Sequence, residues 1–512
     1  MVTATVRIDG LATDVCLPAL PGPYPAVVLR TPYDRRSHRA ELRGWAAHGF
    51  AAVAQDVRGR YASEGRWLPY GDHEERDGTA TLRWLRAQEW SDGRVVAAGA
   101  SYAAHCALAL AYGGEPHGRA DAVIAAVPAL GKARTAREAT GPERLQARVG
   151  WWAAHGDRRE SSPDAAPDPR LLSRLPVTAL LDLPSWPSVW RARGQDERSA
   201  ARAASAAVPL LAVGGAYDPF AEDTVWLWRA WGGPARLLFG PWGHGLTADP
   251  APGARPEHRL DLGSLYVRWA RAALGGTLAG STGAVALGGS GHWCGVRPAV
   301  GGFAPRGSGG GLPGAGRPTA YPFGDRAGLR PLRGGEFVAD PARPVRSDHL
   351  DVPGHGVPDR CLLVTAPLPR PLDLLGPAEA HLDAEARSAT PAGTPRGGHV
   401  PSADWAVRLV ALDPGGRAEP LATGIVRRVR PGPFTVPLGH LARRLDAGTR
   451  LRVEVAGHHF PAHARNPHTG EDPVTATRLV ASHRTVRMTG STLLLPVVHH
   501  VPRVDPVQEM KS

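Results

Sequence analysis

Residues 94–112, RVVAAGASYAAHCALALAY, join two kinds of pattern through a turn. Arg94 to Ala98 is a short apolar run of the kind a buried strand makes, and HCALALAY is continuously apolar over a helical length. Between them, Gly99-Ala100-Ser101-Tyr102-Ala103-Ala104 sets small residues before and after a serine. A strand that turns so sharply into a helix needs small neighbours, because a large one clashes in the turn.

Working outward, PAVVLR (25–30) and FAAVAQD (50–56) read as further buried strands, with RAELRGWAAHGF between them at helical spacing through Leu42, Trp45 and Ala46. A helix is expected from Asp72 to Gln88 with Thr81, Leu82, Trp84 and Leu85 inward, and another strand from Ala122 to Val127. Alternating strands and helices predict a parallel sheet covered on both faces, with its site at the carboxyl ends of the strands. From Lys132 to about Ser205 the pattern breaks into Arg, Ala, Pro and Trp, with helical pieces at Pro142–Trp152 and Arg198–Ala207, which predicts a helical insertion. The sheet resumes at PLLAVGG (209–215) and ARLLFG (235–240), followed by a helix at Leu260–Leu274 and a Gly-rich stretch, Gly301–Gly316, expected to be loop or linker.

From about residue 340 the texture becomes short alternating runs between Pro and Gly, such as WAVRLVALD (405–413), GIVRRVR (424–430), RLRVEVAG (450–457) and TLLLPVV (492–498). Period-two alternation at this spacing predicts an all-β sandwich or jelly roll. The expected organisation is an α/β domain at 1–131 and 206–335, an inserted helical segment at 132–205, and a β domain at 336–512.

Composition narrows the function classes. With 62 Gly and 50 Pro in 512 residues, the chain stays below the ~25–30% of a low-complexity sequence. Its net charge of +12 is dispersed, and only Lys132 and Lys511 among 60 basic residues are lysines. Scattered arginines indicate coding bias rather than a nucleic-acid footprint. No apolar run reaches the ~18 residues of a membrane span and the N-terminus has no signal-peptide pattern, so a cytoplasmic protein is expected. Cys16, Cys106, Cys294 and Cys361 lack metal-type spacing and are expected as free, buried thiols.

Ser101, at its strand-to-helix turn, is the candidate nucleophile; the other Gly-x-Ser, at 288–290, lies among glycines without that context. A serine needs an imidazole and a carboxylate to become nucleophilic, and in this architecture they follow in the order acid, then histidine, on loops after later strands. Asp218 follows PLLAVGG directly and His244 follows ARLLFG directly. Asp56, Arg58, Asp72 and Asp77 are expected as helix caps and a buried ion pair.

RTPYDRR (30–36), QDVRGRYASEG (55–65), WSDGRVVAAGASY (90–102), GGAYDPF (214–220) and GPWGHG (240–245) resemble the cocaine-esterase and X-prolyl dipeptidyl-peptidase group of serine hydrolases. DWAVRLVALDPGGRA, TGIVRRVR and FPAHARNPHTG resemble that family's jelly-roll, galactose-binding-like domain, so the likeness covers nearly the whole chain. It implies an α/β-hydrolase fold with a helical cap, Ser101 as nucleophile, His244 as base, Asp218 as its orienting acid, and an oxyanion hole of the Tyr33 phenol and the Tyr102 N–H. Trp151, Trp152 and Phe220 are implied as pocket aromatics. Ala104 stands where the family's elbow usually has Gly, and Ala216 and Pro219 where it often has Trp and Gly.

No metal or organic cofactor is implied. The expected activity is cleavage of a small ester, amide or short peptide through an acyl-enzyme, most simply by a carboxylic-ester hydrolase or acylase. X-prolyl dipeptidyl-peptidase activity is the alternative; it requires carboxylates for a free substrate amine, with Glu138, Glu143, Asp157 and Glu160 as candidates. A non-catalytic binding scaffold is the distant one. Neither nucleic acid nor membrane is an expected partner, and monomer and homodimer are both compatible with the sequence.

Overall fold

A computed structural model of the chain describes residues 2–112, 118–162, 168–192, 196–299, 301–305, 318–325, 328–389, 399–500 and 502–511. It opens with a hairpin of β1 (Val2–Ile8) and β2 (Leu11–Leu17). Asp9 and Gly10 both take positive φ, 47° and 77°, as a two-residue hairpin turn requires. There follow β3 (Tyr24–Thr31), α1 (Arg39–Ala47), β4 (Ala51–Asp56), α2 (His73–Arg86), β5 (Ser91–Ala100), α3 (Tyr102–Ala109) and β6 (Ala122–Ala126). After an insertion containing α4 (Lys132–Ala136), α5 (Leu145–His155), α6 (Trp186–Val189) and α7 (Asp196–Ser205), the sheet resumes. Its remaining elements are β7 (Leu210–Gly215), α8 (Ala221–Ala230), β8 (Ala235–Gly240), α9 (Leu262–Leu274), β9 (Ser281–Leu287), β10 (His292–Ala299) and β11 (Gly302–Pro305).

All eleven strands form one sheet in the order β1-β2-β4-β3-β5-β6-β7-β8-β9-β10-β11. The central run from β4 to β9 is parallel and both flanks are antiparallel. Every residue of β4, β6, β7 and β8 is buried, which is why these strands read as unbroken apolar runs. Alternate residues serve different cores: Ala26, Val28, Leu210 and Ala212 join one face, Val27, Leu29, Leu211 and Val213 the other. In α1 the buried residues are Leu42, Trp45 and Ala46, as the spacing predicts. In α2 Thr81, Leu82 and Leu85 are buried, but Trp84 is half-buried and edge-on to Trp90.

The insertion holds helices and no strand among the described residues, around a core of Leu145, Val149, Trp152, Trp186 and Trp190. Phe460 and Val474, from far along the chain, complete that core.

The second unit contains β12 (Thr319–Pro322), β13 (Arg330–Arg333), β14 (Glu336–Ala339), β15 (Arg360–Val364), β16 (Leu372–Ser388), β17 (Ala403–Leu412) and β18 (Ala418–Arg428). It continues through β19 (Gly432–Leu445), β20 (Arg450–Ala456), β21 (Ser482–Leu495) and β22 (Val497–Val498), and α10 (Pro506–Glu509) follows. Its strands make two antiparallel sheets, one of β12, β14, β16, β19, β21 and β22, the other in the order β13-β15-β20-β17-β18. They share a core that includes Leu382, Trp405, Val436, Val453 and Leu493.

Three boundaries differ from the sequence reading. The β unit begins before residue 336, because β12 pairs with β21 and β13 with β15; these strands are too short and exposed to show alternation. The Gly-rich stretch is not all loop: Gly302–Pro305 is an edge strand on β10, while residues 306–316 lie outside the described residues. Residues 502–511 leave the β unit for the first sheet: Gly295 and Val504 N–H donate to the Pro502 and Trp293 carbonyls, and Met510 is fully buried in the core that also holds Leu265 and Trp269. No helix of the described residues is long and apolar enough to cross a membrane, and all four cysteines are free and buried.

Candidate active site

Ser101 sits between β5 and α3 at φ 58°, ψ −122°, a conformation costly for a residue with a Cβ and tolerated where the surroundings impose it. Here its N–H donates to Ala126 O (3.0 Å), and its carbonyl accepts from the N–H groups of Ala104 (3.1 Å) and Ala129 (3.2 Å). Glycine is required two residues earlier: a Cβ on Gly99 would lie 2.2 Å from Ala103 O. Ala104, by contrast, is accommodated in the core below α3. The other Gly-x-Ser is structural, Ser290 donating its hydroxyl to Leu287 O (2.8 Å) in the β9–β10 turn.

Asp218 and His244 follow β7 and β8, whose loops are laced by bonds from Ala216 N–H to Gly240 O (2.9 Å) and Tyr217 N–H to Trp242 O (3.0 Å). Asp218 Oδ1 lies 2.7 Å from His244 Nδ1. The carboxylate side chain is fully buried and the imidazole 45% exposed. A carboxylate can only accept, so Nδ1 carries the hydrogen and Nε2 is left as the basic nitrogen. Phe220 is buried edge-on against this imidazole, 5.6 Å between ring centres, where it supports the histidine.

Tyr33 follows β3, where Arg60 Nε donates to the carbonyl of Pro32 (2.9 Å). Its phenolic oxygen accepts from Trp151 Nε1 (3.1 Å). Burial pushes the phenol above its ordinary value, against the opposing pull of hydrogen bonds with Trp151, the Ser101 side chain and the Tyr102 backbone. Ser101 and the Tyr102 backbone are thus neighbours of the phenol. The phenol of Tyr102 is engaged elsewhere, donating to Glu74 Oε1 (2.9 Å) and accepting from Tyr70 N–H (2.9 Å). Burial and then the Glu74 charge hold that phenol far above its ordinary value, which leaves the backbone N–H as the group Tyr102 can offer at the elbow.

An aromatic wall stands beside these groups. Trp151 stacks on Tyr102 (6.0 Å, 15°) and tilts against Trp67 (5.7 Å) and Tyr70 (6.3 Å). Trp152, expected in the pocket, instead fills the core of the insertion at 1% exposure. Adjacent helix positions point about 100° apart, so one tryptophan faces the site and the other the core. Trp67 and Tyr70 escaped the sequence reading because RWLPYGDH has no period to mark them.

Most of the remaining candidates are engaged in structural bonds. Arg35 pairs with Asp56 (2.7 Å) and Asp14 (2.9 Å), Arg58 with Asp77 (2.8 Å), and Asp72 precedes α2 without a side-chain cap bond. In the insertion, Glu143 takes both guanidinium arms of Arg427 (2.9 and 2.8 Å), Asp157 accepts from Ser185 N–H (2.8 Å), and Glu160 is exposed. Glu138 binds Arg144 at 2.9 and 2.8 Å and His463 Nε2 at 2.9 Å. Arg144 also donates to the carbonyl of Pro219, next to Asp218 (3.0 Å). A cavity of about 570 Å³ lies where the insertion, α8 and β18–β19 meet; it touches the site through Asp218 and Ala216.

Although burial opposes it, the charges of Arg144 and His463 hold the Glu138 carboxyl well below the ordinary range. A carboxyl with a depressed folded value stabilises the fold above its unfolded value, about 4.3, and loses that contribution as pH falls toward the folded one. The wild-type advantage over Glu138→Gln in thermal midpoint is therefore expected to be greatest near neutrality and to shrink below about pH 4.3. Parallel melting curves at pH 7 and pH 3.5 would show that this carboxylate adds nothing.

Residues 9–246 match the family model for X-Pro dipeptidyl-peptidase (S15 family), and residues 353–493 that for the X-Pro dipeptidyl-peptidase C-terminal non-catalytic domain. Cocaine esterase from Rhodococcus sp. (strain MB1 Bresler) is 29% identical over 285 residues, 47% of this chain and 48% of the relative. The match thus spans about half the length of that curated relative. Among solved structures, an alpha-amino acid ester hydrolase superposes with TM-score 0.75 at 20% identity, covering 97% of this chain and 96% of the other. An aminopeptidase from a marine sediment Thaumarchaeota archaeon gives 0.74 at 19% over the same shares. A CocE/NonD family hydrolase from Staphylococcus aureus gives 0.62 at 14%, covering 97% and 93%. At these identities the superpositions speak for the fold.

Proposed function

Because the chain belongs to the cocaine-esterase and X-Pro dipeptidyl-peptidase family, we propose that it is a serine hydrolase cleaving an ester or amide through an acyl-enzyme. The observation that carries this reading is the 2.7 Å Asp218–His244 bond at the ends of β7 and β8, in the same sheet whose β5 ends in the strained Ser101. His244 Nε2 removes the Ser101 hydroxyl proton as the oxygen attacks the substrate carbonyl. The Tyr33 O–H and Tyr102 N–H receive the negative charge, His244 returns the proton to the leaving group, and the same base then activates water. The helical insertion acts as a cap whose Trp151 borders the acyl position, and the C-terminal sandwich is a jelly roll that buttresses the cap through Arg427 and His463.

Within that range, a carboxylic-ester hydrolase or acylase is favoured over a dipeptidyl-peptidase. A free substrate amine needs an available carboxylate beside the site, whereas Glu138 and Glu143 are paired with arginines, Asp157 holds a backbone N–H and Glu160 is exposed to solvent. Initial rates on p-nitrophenyl acetate and glycyl-prolyl-p-nitroanilide test this. Ester turnover at least about 100-fold above anilide turnover is expected, since an amine left unpaired in a buried site costs several kcal/mol. Faster anilide cleavage would reverse the preference.

A further inference from the structure

Tyr33 does not stand alone at the elbow. Its phenolic oxygen has one hydrogen and two lone pairs, whereas the indole of Trp151 has a hydrogen to give and no lone pair to offer. At 3.1 Å the direction of their bond is therefore fixed: Trp151 donates and Tyr33 accepts. The Tyr33 hydrogen must then point away from the indole, on the side of its oxygen where the Ser101 side chain stands. Without the indole, the phenol is free to rotate.

Trp151 is itself held in place. Its ring is stacked on Tyr102 (6.0 Å, 15°) and meets Trp152 at 5.4 Å and 76°, while the Arg148 guanidinium lies 5.1 Å above it. Arg148 is fixed in turn by a bond to Thr135 Oγ1 (2.8 Å). Trp152, its neighbour in sequence, is locked in the core of the insertion.

We propose that Trp151 is a positioning residue of the oxyanion hole, its indole N–H directing the Tyr33 hydroxyl hydrogen to where the substrate's oxyanion forms. The inference rests on the hydrolase reading and adds a role for the cap, which completes the hole as well as bordering the substrate. It also sets Trp151 apart from a tryptophan that merely lines a pocket, because its effect must pass through the Tyr33 hydroxyl.

A double-mutant cycle on p-nitrophenyl acetate tests it. Trp151→Phe keeps an aromatic ring and removes the N–H; it is expected to lower kcat about 3- to 10-fold, the rate equivalent of one neutral hydrogen bond, with KM little changed. Tyr33→Phe is expected to lower kcat about 10²- to 10³-fold. In the Tyr33→Phe background the second substitution should leave kcat within about 1.5-fold, because the hydroxyl through which it acts is gone. Equal losses in both backgrounds, or a loss confined to KM, would overturn the proposal. Should Trp151→Phe melt below the assay temperature, replacing Trp151 with benzothienylalanine, which puts sulfur in place of the N–H, supplies the same comparison. Failure of the hydrolase reading is separately visible, as a wild-type protein without ester turnover and without Ser101 labelling by a fluorophosphonate; that result removes the proposal too.

Discussion

Ser101→Ala is expected to lower kcat for p-nitrophenyl acetate by about 10⁴- to 10⁶-fold, leaving the activity that the oxyanion donors alone provide. The substitution isolates chemistry from folding. Alanine has the same Cβ as serine and meets the same backbone restriction at φ 58°, so the turn keeps its strain and loses only the oxygen. The bonds that shape the elbow use the backbone N–H and carbonyl of residue 101, and these remain. An unchanged thermal midpoint with turnover abolished, and loss of fluorophosphonate labelling, is the full expected result. A variant that kept wild-type turnover would remove Ser101 as the nucleophile and the acyl-enzyme with it.

Asp218→Asn is expected to cost about 10⁴-fold in kcat. Oδ1 accepts from His244 Nδ1 at 2.7 Å, and Oδ2 is buried without a hydrogen-bond partner among the described residues. An amide can present its NH₂ to the imidazole, which moves the ring hydrogen to Nε2 and leaves no base facing Ser101. The opposite rotamer keeps the oxygen on Nδ1 and buries an unsatisfied NH₂ where Oδ2 was, at a cost of about 1–3 kcal/mol. The measurement is kcat beside the thermal midpoint. A loss below about tenfold would mean that His244 does not depend on this carboxylate for its tautomer.

Ser101, Asp218 and His244 were legible because each follows a strand that is buried on both faces, and such strands stand out as apolar runs whatever their neighbours. The aromatic wall was not, since Trp67 and Tyr70 belong to a loop and are placed by contact with Trp151 and Tyr102. The two tryptophans of α5 could not be told apart for a related reason. That helix begins at Leu145 rather than Pro142, without a side-chain cap of its own; the N–H groups of Leu145 and Gln146 donate to the carbonyls of Ala462 and Pro461. A cap supplied from more than 300 residues away leaves no local mark, and the phase of the helix decides which ring reaches Tyr33. The long strands β16 and β19 were obscured by Pro377 and Pro437, which discourage a strand reading. The pairing absorbs them, with a register shift between Ala378 and Glu379.

The return of residues 502–511 to the first sheet also sets an order of events during synthesis. Domains ordinarily fold as units as they leave the ribosome, the earlier one first. Here the first sheet lacks the Val504 partner of Trp293 and the Met510 that fills its core until residues 502–511, on the far side of the β unit, have been made. The first sheet is begun before the β unit and completed after it.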